Sequence, residues 1–226
     1  MQRISVWDLP TRLFHWLLVL CVTGSFISAK IGGNAMVWHG RFGLFVVGLL
    51  VFRLVWGFVG STYARFAQFV RGPADVLAYL RGQWTGEGHN PLGALSVLAM
   101  LGTLTLLVMT GLFANDDIAF EGPLYALVGK ELSDRLVGIH RLVEPLIILL
   151  VVTHIAAIIY YVRFRKEALV MPMIRGWKVG AGKTAMGGGV IAFIVALVLA
   201  LAAVYGAGGF WIQAPPPPAA NSTPDF

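Results

Sequence analysis

The chain is poor in charge and nearly devoid of cysteine. Asp, Glu, Lys and Arg make up only 12% of its 226 residues, against 58% hydrophobic residues. A soluble domain carries about twice that charged fraction, so the composition excludes an ordinary water-soluble fold and indicates an integral membrane protein. The lone cysteine, Cys21, excludes an internal disulfide, a four-cysteine iron–sulfur cluster and a C-x-x-C-H covalent haem attachment. It reads as a small apolar packing residue. The alternating ten-residue segments of a closed barrel are missing, as are internal repeats. No serine, thiolate or carboxylate-pair constellation stands out as catalytic machinery.

Long apolar runs are what the chain does have. Spans are expected at 13–29, 37–59, 92–113, 136–162 and 187–207, each close to the length that crosses a bilayer. Asp8, Pro10 and His15 are unusual in a cleavable leader, so the first run is read as a retained helix. The net charge of +6 could suggest nucleic acid, but its placement excludes that partner and points to the lipid bilayer. Arg3 and Arg12 precede the first span. Arg65, Arg71 and Arg81 follow the second, and Arg163, Arg165, Lys166, Arg175, Lys178 and Lys183 follow the fourth. The alternate loops carry Lys30, or the mixed set Asp116, Asp117, Glu121, Lys130, Glu131, Asp134 and Arg135. This positive-inside asymmetry predicts a cytoplasmic N-terminus and a C-terminus on the opposite side of the membrane.

Between the spans, Tyr63 to Arg71 is aromatic and basic and predicts an amphipathic stretch at the cytoplasmic interface, broken by Gly72-Pro73. Asn90-Pro91 is a helix-start signal, and the acidic loop 114–135 is expected to hold a short surface helix. Trp7, Trp38, Trp56, Trp177 and Trp211 fall near span ends, where amphipathic rings prefer to sit. Three units follow: 1–186 as a four-helix core with cytoplasmic loops, 187–212 as a fifth span, and 213–226 as a tail whose prolines Pro215 to Pro218 predict an extended, mobile end.

Four of the five histidines lie within these spans, where ionisable side chains are costly and need a partner. His140 and His154 are fourteen residues apart on the fourth span. That spacing puts both on one helix face, separated by about 21 Å of rise. Counting spans from the cytoplasmic side places His39 and His140 at the outer level, and His15 and His154 at the inner one. Two imidazoles at each of two levels is the arrangement for two non-covalent, bis-histidine b-type haems. His89, in a cytoplasmic loop, reads as a loop or capping residue.

Arg53 follows His39 by fourteen residues and so shares its face at the inner level, where a haem propionate would suit its planar donor fork. Arg12, one turn before His15, and Arg141, beside His140, could hold propionates or snorkel to the surfaces. Glu144 is placed to pair with Arg141 on its own helix. Glycines at 43, 48, 102 and 111 suit either close helix packing or room for a flat macrocycle.

Val6-Trp7-Asp8-Leu9-Pro10-Thr11-Arg12-Leu13-Phe14-His15-Trp16 resembles the opening of the prokaryotic cytochrome b561 and nickel–iron hydrogenase cytochrome b group. His39-Gly40-Arg41 with Arg53-Leu54-Val55-Trp56-Gly57 is similar to its second helix, Gly88-His89-Asn90-Pro91 to the lead into its third, and Gly138-Ile139-His140 through His154 to its fourth. The resemblance covers about residues 5–175. It implies an all-α integral membrane fold, a four-helix dihaem bundle with one additional C-terminal transmembrane helix. It also implies electron transfer between the membrane quinone pool and a periplasmic redox partner, such as a c-type cytochrome or a hydrogenase-like subunit. A stand-alone superoxide:quinone oxidoreductase is an alternative, with Arg41 and Arg141 guiding the anion. A proton or ion transporter using intramembrane histidines is a third, opposed by the missing repeats and broken helices.

Overall fold

Two of the long helices begin where a polar cap is followed by proline. The Asp8 carboxylate accepts from the Thr11 N–H and the Asn90 amide oxygen from the Gly93 N–H, both at 2.7 Å. Pro10 and Pro91 occupy first-turn positions whose N–H would have no helical acceptor. A computed structural model describes residues 2–70, 72–83, 90–118, 120–180 and 182–212. In chain order its elements are β1 (Gln2–Ser5), α1 (Leu9–Ile31), α2 (Met36–Val59), α3 (Phe66–Phe69), α4 (Pro73–Leu80), α5 (Pro91–Gly111), α6 (Lys130–Arg163), α7 (Val170–Arg175), β2 (Trp177–Gly180) and α8 (Val190–Ala207). Five helices, α1, α2, α5, α6 and α8, are long and apolar enough to cross a membrane. His89 and the tail 213–226 lie outside the described residues.

Helix α2 is the centre of the bundle, in contact with α1, α5 and α8, while α6 packs on α5 and stands off from α1 and α2. The core runs from Phe14 and Cys21 through Val46, Leu50, Phe52 and Trp56 to Leu101, Leu104, Ile147, Ala196 and Ala200. Phe52 stacks on Trp56 at 5.8 Å between centroids, and Phe193 of α8 meets both edge-on. At Gly48 a Cβ would lie 2.7 Å from Val204 Cγ2, so this glycine serves the close approach of α2 and α8. Outward, Leu20, Phe45, Leu142 and Ile191 are 63, 66, 77 and 81% exposed. A continuous apolar exterior of this kind is stable only against lipid. The protein is an all-helical, multi-pass membrane bundle.

One end of the bundle, here called the inner end, gathers the N-terminus and the two basic loops. Strands β1 and β2 form an antiparallel ribbon with Gln2 opposite Gly180 and Ser5 opposite Trp177, a feature no sequence pattern announced. Ser61 bridges Gly187, Thr62 N–H donates to the Met186 carbonyl, and the Tyr63 hydroxyl donates to the Lys183 carbonyl at 2.6 Å. Three segments that five crossings must place on one side are thus hydrogen-bonded together.

Three local expectations sharpen or change. The stretch from Tyr63 packs one face inward: Phe69 is buried, Phe66 and Phe69 stand against the Arg53 guanidinium, and Ala67, Gln68 and Val70 stay exposed. Burying two aromatic rings under a guanidinium outweighs spreading them along the interface. The acidic loop holds only a 3-10 turn, Tyr125–Leu127, because α6 begins at Lys130 and absorbs the rest. Glu144 pairs with Lys30 of α1 at 2.8 Å, not with Arg141, so the ion pair joins two helices. At the inner end the Tyr79 hydroxyl meets that of Tyr161 and accepts from Asn90 Nδ2, tying α4 to α6 and α5. Burial first, and then the hydrogen bond to Tyr161, push the Tyr79 phenol above its ordinary pKa.

Gly48→Val tests the α2–α8 contact. Overpacking at this point should cost about 1–3 kcal/mol and lower the thermal midpoint in detergent; an unchanged midpoint would show that α8 yields without cost.

Candidate functional site

Each histidine-bearing helix turns one stripe inward. On α1 it is Thr11, His15, Leu18, Val22 and Ser25; on α2, His39, Gly43, Val46, Leu50 and Arg53. On α6 it is His140, Glu144, Ile147, Val151, His154, Ile158 and Tyr161. All are buried or half-buried, and they follow the spacing that keeps one face of a helix together. Pro145 does not interrupt α6, so His140 and His154 remain on one continuous helix.

At the outer level His39 and His140 face one another, ring centroids 6.0 Å apart and planes at 74°. Both rings are held at Nδ1. His39 Nδ1 lies 2.9 Å from the Ser25 carbonyl and 3.0 Å from the Ser25 hydroxyl. His140 Nδ1 lies 2.9 Å from the Leu107 carbonyl and 3.2 Å from the Thr110 hydroxyl. A carbonyl can only accept, so Nδ1 carries the proton in both rings and Nε2 keeps its lone pair. This is the tautomer a metal ligand needs, with the outer nitrogen anchored. Phe120 closes over the pair, edge-on to His39 at 6.5 Å and packed against Gly40.

At the inner level His15 and His154 lie on the inward stripes of α1 and α6. Here the polar groups are unsatisfied. Among the described residues, the buried side-chain atoms without a hydrogen-bond partner are Thr11 Oγ1, Arg12 Nε, His15 Nδ1, Arg53 Nη1, Ser61 Oγ and Arg65 Nε. Every one belongs to the inner ends of α1 and α2 or the loop after α2. Three of the six are donors on arginine, a set whose missing counterpart is an anion.

The arginines separate clearly. Arg53 is 3% exposed, with its guanidinium 4.9 Å from the Phe66 ring centroid and 5.7 Å from that of Phe69, so it does not reach the surface. Arg12 donates through Nη1 to the Ile174 carbonyl at 2.6 Å, latching α1 to α7 while Nε stays unpartnered. Arg141 is exposed. Sequence reasoning missed Ser25, Thr110, Thr11, Ser61 and Arg65. A hydroxyl four residues before His15 was a usable signal for Thr11; Ser25 and Thr110 meet histidines of other helices, which no single-helix spacing announces, and a backbone carbonyl such as that of Leu107 leaves no signal.

The site fits haem. Among the described residues no three ligand-type side chains converge, so a bare ion would be under-coordinated, whereas a porphyrin brings four donors of its own. Two metal–imidazole bonds of about 2 Å plus the ring radii add up to roughly the centroid separation seen at the outer pair. Helix α6 makes its close backbone contacts with α5 rather than with α1 or α2, a spacing compatible with a flat macrocycle between the histidine stripes. The four glycines divide accordingly. Gly48 serves helix packing and a Cβ at Gly111 would lie 3.2 Å from His140 Cε1, while a Cβ at Gly43 or Gly102 would meet nothing within 4 Å.

The family description "Prokaryotic cytochrome b561" matches residues 6–176, and the chain belongs to that family. Among curated proteins, the Probable Ni/Fe-hydrogenase 1 B-type cytochrome subunits of two Escherichia coli strains are 26% identical over 137 residues. The match covers 47% of this chain and spans 57% of the length of those relatives. No solved structure matches. The fold and the family together make this a multi-pass membrane member of the prokaryotic cytochrome b561 family.

Gly43→Leu separates packing from macrocycle space. Replacing a helical glycine in open space should raise the stability of the haem-free chain by up to about 1 kcal/mol, and haem content should fall. Unchanged haem content would place the macrocycle elsewhere.

Proposed function

We propose that this cytochrome b561 carries two haems b, each bis-histidine, and passes electrons between membrane quinone and a redox protein docked on its outer face. The observation that supports this reading best is the outer pair: two imidazoles 6.0 Å apart, each with its Nδ1 proton held by a carbonyl and a hydroxyl. His39 and His140 are the ligands of the outer haem; His15 and His154 are those of the inner one. Bound haem supplies one-electron chemistry at iron. The chain fixes the imidazole tautomers, encloses the site in apolar side chains and presents cations to the propionates. Arg53 and Arg12 hold those of the inner haem, and Arg141 stands at the outer surface.

Residues 1–186 form the haem-bearing core and 187–212 the fifth span. With the basic inner end in the cytoplasm of a bacterial inner membrane, Arg65, Arg163 and Lys183 face the cytoplasm and the loop after α5 faces the periplasm. That loop carries Asp116, Asp117 and Glu121, and the start of α6 adds Glu131 and Asp134; Lys130 and Arg135 pair with part of this set, and the acidic excess that remains suits a basic periplasmic protein such as a c-type cytochrome or a hydrogenase-like subunit. Anchored Nδ1 protons argue against His39 and His140 serving in a proton wire, because a relay must exchange both ring protons.

Two measurements follow. Short-chain ubiquinol added to proteoliposomes should reduce the haem absorption bands, and His154→Ala should abolish that reduction while leaving the outer haem in place; failure of the parent to respond to quinol would remove quinone from the account. Arg53→Leu takes a buried positive charge from beside the inner haem. It should lower that midpoint by roughly 60 mV, equivalent to about 1.4 kcal/mol for one electron. An unmoved midpoint at full occupancy would restrict Arg53 to its aromatic cage.

A further inference from the structure

A hydroxyl accompanies each histidine of the outer pair, and the pattern extends to the inner level. Ser25 and Thr110 sit 3.0 and 3.2 Å from the Nδ1 atoms of His39 and His140. Thr11 precedes Ser25 by fourteen residues on the same inward stripe of α1, and it precedes His15 by four. That interval stacks the two side chains one turn apart. Thr11 Oγ1 and His15 Nδ1 are both buried and both without a partner. Two adjacent orphans of complementary kind, one an acceptor and one a donor, are costly to leave apart.

The position of Thr11 in its helix explains why its hydroxyl is available. Ser28, Thr105 and Thr110 each donate back to the carbonyl four residues earlier in their own helix. Thr11 is the third residue of α1, so the residue four before it is Trp7, outside the helix. Its own N–H is taken by the Asp8 cap, which fixes the backbone and leaves the hydroxyl to rotate about one bond.

Resting on the bis-histidine reading above, we propose that Thr11 is the positioning residue for His15: its hydroxyl accepts the Nδ1 proton and presents Nε2 to the inner haem. Ser25 and Thr110 do the same for His39 and His140, so the hydroxyl is a repeated device and α1 supplies it at both levels. Nothing about Thr11 touches the iron; it acts through the ring, by orientation and by making the imidazole a stronger donor.

The test compares Thr11→Val, which keeps shape and loses the hydroxyl, with Thr11→Ser, which keeps the hydroxyl. The full-length protein is purified with its haems and followed by redox titration and low-temperature electron paramagnetic resonance. In Thr11→Val the inner-haem midpoint should rise, its low-spin g values should shift, and haem affinity at that level should weaken about 10-fold or more; the outer haem should be unchanged. Thr11→Ser should restore the parent values. Parent-like midpoint and g values in Thr11→Val would overturn the proposal. If Thr11→Val loses the inner haem altogether, recovery of that haem in Thr11→Ser supports the proposal, and loss in both overturns it. His15→Ala, run in parallel, isolates the underlying reading: retention of both haems there would refute His15 as a ligand, independently of Thr11.

Discussion

An imidazole inside a bilayer has two nitrogens and no water to satisfy either. That constraint organises this bundle. At His39 and His140 one nitrogen is answered locally, by the Ser25 and Leu107 carbonyls with a hydroxyl beside each. The other is left directed at the space between helices. The local bonds stabilise little by themselves, but they remove the ambiguity of which nitrogen carries the proton. A ring that could ligate through either nitrogen becomes one that ligates through Nε2 alone.

The helix arrangement follows from the same need. A bundle packed only for apolar contact would bring α6 against α1 and α2; instead α6 leans on α5. Gly43 and Gly102 face open space, whereas Gly24, Gly48 and Gly57 serve close contacts between elements. At the inner end the unpartnered arginine nitrogens of Arg12, Arg53 and Arg65 repeat the message in charge. The outer end is less cationic within the bundle, and of its cations Lys30, Lys130 and Arg135 are each paired with a carboxylate. The two levels are therefore unlike electrostatically, which gives the chain a means of setting two different potentials.

Periodicity made the spans legible, and α1, α2, α5, α6 and α8 lie where the apolar runs predicted them. The histidine spacing on α6 was legible for the same reason, since a helix keeps residues fourteen apart on one face. What escaped was non-local or carried by the backbone. The β1–β2 ribbon pairs residues about 175 positions apart through peptide groups that every residue possesses. The Lys30–Glu144 pair depends on how α1 and α6 meet, which no single-helix rule addresses, so the nearer Arg141 was expected instead. The aromatic stretch after α2 has the composition of an interfacial helix, and only the buried charge of Arg53 explains why its rings turn inward.

The account rests on two metal sites at two depths, built from four histidines. Haem stoichiometry tests it most directly: a pyridine haemochrome assay against protein concentration, read alongside low-spin electron paramagnetic resonance. Two haems b per chain, with two resolved bis-histidine signals, is the result the account predicts. One haem per chain, or a high-spin iron with an open coordination position, would contradict it.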